Sequence, residues 1–314
     1  MRVGLYSITY LGIWYDGPAL SIEEIVVRAK RFGYDGIEID GKRPHGNPAD
    51  CPQRRCHELR DRASDAGVPV YAVAANNDFS SPIPEFRESQ LLYVRDLIRM
   101  TADLGAPVLR VFAAWPGVTM DGETATYLEA RRVWRETQRE STPGQIWDRC
   151  RAGLTEAAQW AGEHGVTLAL QNHPPVTNTP DDMVRMIREV ASPNLKACLD
   201  APLAAKQGIS AMLDTARSVP GLQALSHYGG EYQRRPDGSV VGNVRDPNDE
   251  LTPEDYYADF AQGMRDIGYD GYIGYELCHP LPKGSGLDFA DLNAQLAAAY
   301  MRAIVTYPPT AAGD

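Results

Sequence analysis

Apolar residues recur along this chain in two alternating patterns. Short runs of apolar and β-branched residues predict strands, and longer segments with apolar residues at helical spacing predict helices. In segment 21–32, for example, Ile22, Ile25, Val26 and Ala29 share one helical face. The predicted strands are Arg2–Ile8, Asp35–Asp40, Val68–Ala75, Pro107–Phe112, Val166–Gln171, Leu195–Asp200, Leu222–His227 and Gly271–Glu276. The predicted helices are Ser21–Phe32, Gln53–Ala66, Glu85–Leu104, Ile146–His164, Pro180–Val190, Gly208–Ser218, Pro253–Ile267 and Phe289–Thr306.

Five of the joints between a helix and the next strand have the same form. A glycine stands just past the helix at Gly33, Gly67, Gly105, Gly165 and Gly268. Glycine there adopts the left-handed conformation that ends a helix. Eight repeats of one strand–helix unit predict an α/β protein with a single (β/α)₈ barrel domain spanning residues 1–314. A doubly wound open sheet is the alternative, but the chain contains no G-x-G-x-x-G phosphate loop.

Two segments exceed the usual loop length. Ala113–Gln145 follows strand four and contains a charged, helix-like stretch, Thr124–Glu140. Tyr228–Thr252 follows strand seven and contains Arg235–Ser239, a turn signal for a small hairpin. Both follow strands, so we expect both at the C-terminal face of the barrel, as lids or substrate walls. Decoration or an oligomer contact is the alternative.

Composition narrows the class of partner. Hydrophobic residues make up 43 % of the chain and charged residues 23 %, a globular mix, and the formal net charge is −11. This negative balance argues against nucleic acid as a ligand. The apolar run Val68–Ala75 is far shorter than the roughly 20 residues that a membrane span needs. Five scattered cysteines predict a reducing compartment, and with no signal-peptide pattern at the N-terminus we expect the cytoplasm.

Polar residues end four consecutive predicted strands and face the barrel mouth. They are Gln171, Asp200, His227 and Glu276, each preceded by an apolar run. Two carboxylates and one imidazole suit a divalent metal of the Mn²⁺, Mg²⁺, Co²⁺ or Zn²⁺ kind, and Gln171 can add an amide oxygen. We therefore predict one metal site with these four ligands, Mn²⁺ being the first choice. Taken singly, each residue has a capping or loop-bonding role as its alternative.

Further residues near the predicted mouth are candidates for binding substrate. Glu38 ends strand two, and His279 follows Glu276 by three residues. Trp14 and Trp115 stand in loops after strands one and four, where aromatic rings stack on sugars or flat groups. The sequence therefore predicts a ligand of the size of a sugar or larger.

The strand ends resemble those of the xylose-isomerase-like sugar isomerases and epimerases. The matching segments are 168–173, 199–200, 226–227 and 275–276, together with the joint 32–38. This resemblance implies a metal-dependent barrel that removes a proton next to a carbonyl of a carbohydrate. Members include ketose 3-epimerases, hydroxypyruvate isomerases, dehydratases and a DNA-repair endonuclease branch. That branch needs many histidines for several zinc ions, and six histidines with a −11 charge argue against it.

One residue departs from the epimerase pattern. Epimerases of this superfamily carry Glu on strand five where Gln171 stands, and pass a proton between two carboxylates on opposite faces of the substrate. An amide does not accept a proton at useful pH, so we predict His173, on the same side of the strand, as the replacement base. A supporting, hydrogen-bonded role is the alternative for His173. Glu276 is the predicted second catalytic residue.

Residues 38–48 resemble the large subunit of bacterial C-glycoside deglycosidases, a lyase branch of the same barrels. That resemblance implies elimination of an aglycone from a 3-oxo-glycoside, for which one base suffices, and a small β-sandwich partner subunit. Lys42, Arg43 and His45 would then bind sugar hydroxyls or polarise a carbonyl; solvated loop charges are the alternative. We take this lyase as the first hypothesis, and expect an oligomer. A ketose or ketose-phosphate isomerase or 3-epimerase is the second, and a non-catalytic sugar-binding subunit the third.

Overall fold

The eight predicted strands hydrogen-bond side by side in a closed ring. In the computed structural model, which describes residues 1–122, 124–243 and 253–306, all neighbouring strands of this ring are parallel. The strands are β1 (Arg2–Tyr6), β2 (Gly36–Asp40), β3 (Val70–Ala74), β4 (Val108–Val111), β5 (Thr167–Gln171), β6 (Leu195–Cys198), β7 (Gln223–Gly229) and β8 (Tyr272–Glu276). They follow one another around the ring in chain order, and β8 pairs with β1. The (β/α)₈ prediction is confirmed.

Helices follow the strands as the apolar pattern predicts. They are α1 (Ile22–Phe32), α2 (Gln53–Asp65), α3 (Pro84–Asp103), α4 (Leu128–Thr137), α5 (Pro143–Glu163), α6 (Pro180–Val190), α7 (Ala201–Ala205), α8 (Met212–Arg217), α9 (Pro253–Asp266) and α10 (Leu287–Thr306). All five predicted joint glycines have positive φ, between 67° and 83°. No helix of the described residues is long and apolar enough to cross a membrane. The five cysteines are free thiols.

Two predicted elements differ because short helices interrupt them. β1 ends at Tyr6, and Ser7–Tyr10 forms a 3₁₀ turn where the sequence predicts continued strand. β6 ends at Cys198, because Asp200 is the N-cap of α7 and its side chain accepts a hydrogen bond from the Leu203 amide. Asp before a proline-containing first turn is a helix start signal, but a helix of one turn leaves no periodicity to detect.

The two long insertions contain hairpins as well as helix. In the first, Thr119–Asp121 pairs with Thr124–Thr126, so the predicted helix from residue 124 is wrong at its start, and α4 begins only at Leu128. In the second, Glu231–Arg234 pairs with Val240–Asn243, which confirms the predicted hairpin. The end of that insertion, 244–252, lies outside the described residues.

A small apolar cluster, separate from the main core between strands and helices, occupies the barrel interior. It contains Ala169, Cys198 and Leu225, which precede Gln171, Asp200 and His227 by two residues each. Because side chains alternate along a strand, each of these polar residues lies directly above an apolar one on the same face. The packed cluster leaves the C-terminal end of the barrel for the polar residues.

Candidate active site

Three predicted metal ligands converge at the C-terminal end of the barrel. Asp200, His227 and Glu276 each offer a ligand atom, and these atoms all lie within 4.8 Å of one another. His227 is fully buried and Asp200 nearly so, while Glu276 is partly exposed at the end of β8. Neighbouring strands β6, β7 and β8 position them, because parallel strands bring their C-terminal ends to one edge.

Asp200 is held in place from two sides. Its Oδ1 accepts a hydrogen bond from the Leu203 amide at 2.8 Å, and its Oδ2 accepts one from Nε2 of Gln171 at 2.7 Å. The same Nε2 lies 3.5 Å from Nδ1 of His227. Gln171 is therefore beside the triad, as predicted, and turning its amide would present the oxygen instead of the nitrogen.

His227 is oriented by a carboxylate behind it. Its Nε2 lies 2.9 Å from Oε2 of Glu38, both side chains being fully buried, while its Nδ1 lies 4.0 Å from Oδ2 of Asp200. The ring of Tyr6 stacks on the imidazole at 5.5 Å. Burial is the largest single influence on the pKa of His227 and acts to lower it, but Glu38 and Cys198 together outweigh burial and raise that pKa above its usual value. A proton on Nε2 leaves Nδ1 as the ligand atom.

The donor set fits a divalent cation. Among the described residues, neither Asp200 nor Glu276 is ion-paired with a lysine or arginine. Burial raises the pKa of Asp200, and it raises that of Glu276 to about 7. Two close carboxylates, one buried and one partly buried, with no lysine or arginine paired to them are unfavourable as anions. Two carboxylates with an imidazole are ordinary ligands for a divalent ion.

A cavity of about 430 Å³ opens above this triad. One wall is aromatic: Phe112 stacks on Trp115 at 5.0 Å, and Tyr127 meets the edge of Trp115 at 5.9 Å. His173 lies edge-on to Phe112 and Trp115, with both ring centroids 4.9 Å away. The predicted Trp115, His173 and His279 all line the cavity, whose volume suits a small-molecule ligand.

His173 lies just past the end of β5 and lines the cavity, but its surroundings weaken it as a base. Its Nδ1 is hydrogen-bonded to the carbonyl of Pro174, which leaves Nε2 as an acceptor. Burial lowers the pKa of His173 to about 3. The imidazole is therefore neutral at ordinary pH and a weaker base than a solvated histidine.

The other predicted substrate contacts lie outside the cavity wall. Trp14 is buried with its ring 5.7 Å from Tyr127, and Glu38 lies behind His227.

The loop after β2 folds back, with the Gly46 amide donating to the Asp40 carbonyl. The side chains of this loop contact other protein groups. Nζ of Lys42 lies 3.9 Å from Oδ2 of Asp40, and Nε of Arg43 lies 2.5 Å from Oδ2 of the exposed Asp50. The two ring nitrogens of His45 each lie 3.0 Å from an oxygen, Nδ1 from Oγ of Ser7 and Nε2 from the Leu20 carbonyl. Direct substrate contact by these residues stays a prediction.

Three cations of the cavity wall are not among the residues predicted from the sequence. Arg110 on β4 is 3 % exposed, and its Nη2 donates to the Tyr6 hydroxyl at 2.8 Å. Arg131 on α4 and Lys206 after α7 also line the cavity. A single arginine within the apolar strand 108–111 is a signal that could have been used. Arg131 and Lys206 carry no such signal, because nothing local distinguishes them from solvated surface residues.

Known proteins resemble this chain over almost its whole length. Fructoselysine 3-epimerase of Shigella flexneri is 25 % identical over 291 residues, which cover 88 % of this chain and 90 % of that protein. The crystal structure of D-psicose 3-epimerase in the presence of D-fructose superposes with a TM-score of 0.71 at 17 % identity, covering 97 % of this chain and 99 % of the other. That of 3-keto-D-glucoside 4-epimerase from E. coli has a TM-score of 0.64 at 19 % identity, with coverage of 95 % and 99 %.

The likeness to these two solved structures agrees with the barrel fold described above. A match to a protein family shows in addition which family the chain belongs to. Residues 26–303 match the family described as "Xylose isomerase-like TIM barrel". The matched range contains the three triad residues, Gln171 and nearly every strand of the barrel. The chain therefore belongs to the xylose isomerase-like TIM barrel family.

Proposed function

We propose that this protein is a metal-dependent sugar epimerase or isomerase that moves a proton on the carbon next to the carbonyl of a keto sugar. The observation that carries the proposal is the Asp200, His227 and Glu276 triad beneath a cavity of about 430 Å³. Relatives named as 3-epimerases of fructoselysine and D-psicose support it. They favour this reaction over the lyase taken as the first hypothesis from the sequence.

Separate side chains would bind the metal and transfer the protons. Asp200, His227, Glu276 and the amide oxygen of Gln171 would hold a divalent ion, Mn²⁺ being our first choice. When bound, such an ion polarises the carbonyl beside the carbon that loses its proton. Glu276 takes that proton, since its carboxylate lies in the cavity wall. On the opposite face of the sugar, protonated His173 would donate a proton through Nε2 while Glu276 holds the one it removed. Because burial lowers the pKa of His173 to about 3, this protonated form is scarce and the second transfer would be slow. The aromatic wall would exclude water.

Solvent exchange tests the proposal directly. With Mn²⁺-loaded protein in D₂O, we expect deuterium to enter at the carbon next to the carbonyl of D-fructose, D-psicose or fructoselysine. NMR measures this incorporation. Protein stripped of metal by a chelator should lose the exchange, and adding Mn²⁺ back should restore it. Full exchange by stripped protein would contradict the metal requirement. No exchange with any keto sugar, in protein shown to bind Mn²⁺, would contradict the reaction class.

A lyase is the second candidate, and Gln171 is the observation that favours it. Epimerisation needs a proton-transfer group on each face of the sugar, and Gln171, whose amide is hydrogen-bonded to Asp200, is not a carboxylate that could act on the second face. Elimination needs only one base. A 3-oxo-glucoside with a chromogenic aglycone distinguishes the two reactions. Release of the aglycone supports elimination, and exchange or epimerisation without release supports the first proposal.

Restoring the carboxylate at position 171 is a sharper test of this logic. We expect Gln171→Glu to raise the rate of 3-epimerisation by about 10²-fold, the low end of what one positioned proton-transfer group contributes. Epimer formation at saturating Mn²⁺ is measured by chromatography. Gln145→Glu is the matched control, because it makes the same change in an exposed capping box at the start of α5. An unchanged epimerisation rate in metal-loaded Gln171→Glu would overturn the two-face argument.

Other features of the biological setting stay proposals. A carbohydrate or glycoside is the ligand that we propose, and the cytoplasm is the proposed location. An oligomeric state and a β-sandwich partner subunit are predictions from the sequence resemblance. Size-exclusion chromatography with light scattering on the purified chain measures the first of these two.

A further inference from the structure

The charges that line the cavity do not balance once a divalent ion is counted. Three cationic side chains line it, Arg110, Arg131 and Lys206, and so do three carboxylates, Asp200, Glu231 and Glu276. An ion of charge +2 on Asp200 and Glu276 offsets both carboxylates. Glu231 is then the one remaining carboxylate of the lining, against three lining cations, and its Oε1 already lies 3.1 Å from Nε2 of His279. This imbalance rests on the proposed metal site.

The two outer cations are available to a ligand. Arg131 and Lys206 are exposed at the cavity mouth, and neither forms an ion pair within the described parts of the chain. Arg131 lies over the ring of Tyr127, with its guanidinium carbon 5.4 Å from the ring centroid. Lys206 follows α7, which Asp200 caps at its other end. The two cations thus reach one mouth from two different segments, α4 in the insertion after β4 and the end of α7 after β6.

Deeper in the cavity, Arg110 is a buried cation with few partners. Its guanidinium donates to the Ala75 carbonyl at 3.2 Å and to the Tyr6 hydroxyl at 2.8 Å, while its Nε has no hydrogen-bond partner among the described residues. The nearest carboxylate in this chain of contacts is Asp40, which accepts from the Tyr6 hydroxyl at 2.9 Å. The buried carboxylates Asp40 and Glu38 act on Arg110 at longer range and partly offset its charge. Because Arg110 pairs directly with neither, it is a further positive charge in the wall, but the two outer cations are the ones available to an anion.

We propose that the natural substrate is a keto sugar bearing an anionic group, a phosphate or a carboxylate, which Arg131 and Lys206 bind at the cavity mouth. Arginine and lysine are the ordinary partners of both anions. Since the metal removes the charge of two carboxylates, it also strengthens binding of the anion. By linkage, the anionic sugar strengthens binding of the metal by the same factor.

Calorimetric titration of Mn²⁺-loaded protein tests this, with D-fructose 6-phosphate, 5-keto-D-gluconate and D-fructose as probes. We expect at least one anionic probe to bind about tenfold tighter than D-fructose, with an advantage that shrinks as salt is added. The tighter of the two anionic probes identifies phosphate or carboxylate as the preferred group. Equal affinity for all three probes in protein that binds Mn²⁺ overturns the inference.

Charge-reversal variants locate the anion. Lys206→Glu and Arg131→Glu should each reduce the anionic preference about tenfold, while Lys206→Arg should keep it. Lys30→Glu, on the exposed end of α1, is the matched control for net charge. An anionic preference that survives both reversals overturns the assignment.

Failure of this inference is distinguishable from failure of the proposed function. Mn²⁺ affinity and solvent exchange of D-fructose test the function without any anionic probe. Exchange of D-fructose with no anionic preference would leave the function standing and remove this inference.

Discussion

Replacing Glu276 with Gln is expected to reduce solvent exchange about 10³-fold, within the range that a positioned general base contributes. Gln keeps the size of the side chain, but its amide neither accepts the substrate proton nor carries the charge of a metal ligand. Exchange of a keto sugar in D₂O is measured at increasing Mn²⁺, so that loss of metal affinity is separated from loss of the base. At saturating Mn²⁺, we expect the exchange rate of Glu276→Gln to stay low.

Asp200→Asn is the matched comparison for this prediction. It also removes one carboxylate from the triad, but Asp200 accepts hydrogen bonds from Leu203 and Gln171 and acts only as a ligand in our proposal. Its exchange rate should therefore recover substantially at saturating Mn²⁺. Equal residual rates in the two variants at saturating metal would show that Glu276 is a ligand and not the base. Glu163→Gln, on the exposed end of α5, controls for the amide substitution itself.

The second large effect is expected at Glu38, which lies outside the cavity wall. Its Oε2 is 2.9 Å from Nε2 of His227, so it fixes the proton on the far side of the ring and leaves Nδ1 for the metal. We expect Glu38→Gln to weaken Mn²⁺ binding about tenfold and Glu38→Leu about 100-fold, the range found for partners behind metal-ligating histidines. Competition with a chelator measures the affinity.

The variants at Glu38 need a control within the same buried contact. Tyr71 donates the other hydrogen bond to Oε2 of Glu38, at 3.3 Å. Tyr71→Phe should leave Mn²⁺ affinity within about twofold, because a long hydrogen bond to a charged acceptor contributes little to orientation. Thermal melts of every metal-free variant check folding. If Glu38→Leu melted like the unmodified protein and bound Mn²⁺ equally well, the positioning role would be wrong.

The sequence predicted the barrel because its signals are local. Alternation of short apolar runs with helical spacing, and a glycine after five helices, depend only on neighbours in the chain. The same locality explains the errors. Asp200 reads as the last residue of a strand, yet it caps the one-turn helix α7, and the strand of Thr124–Thr126 reads as part of a charged helix.

The candidate ligands were also within reach of the sequence. Gln171, Asp200, His227 and Glu276 each follow an apolar run at a strand end, and a parallel barrel brings such ends to one edge. Once the fold is known, their convergence on neighbouring strands follows from it. Which residue orients, pairs with or neutralises each ligand does not follow from the fold, because it depends on distances between residues far apart in the chain.

By itself, then, the sequence determined the repeated strand–helix unit, the barrel and the group of polar residues at its mouth. Tertiary structure decided what each polar residue touches. It placed Glu38 behind His227, 189 positions away along the chain. It enclosed His173 in the cavity wall, where loss of solvent lowers the pKa of the imidazole to about 3. It also brought Arg131 and Lys206 to one cavity. Burial and charge proximity arise only when distant segments pack together, so no local pattern in the sequence records them.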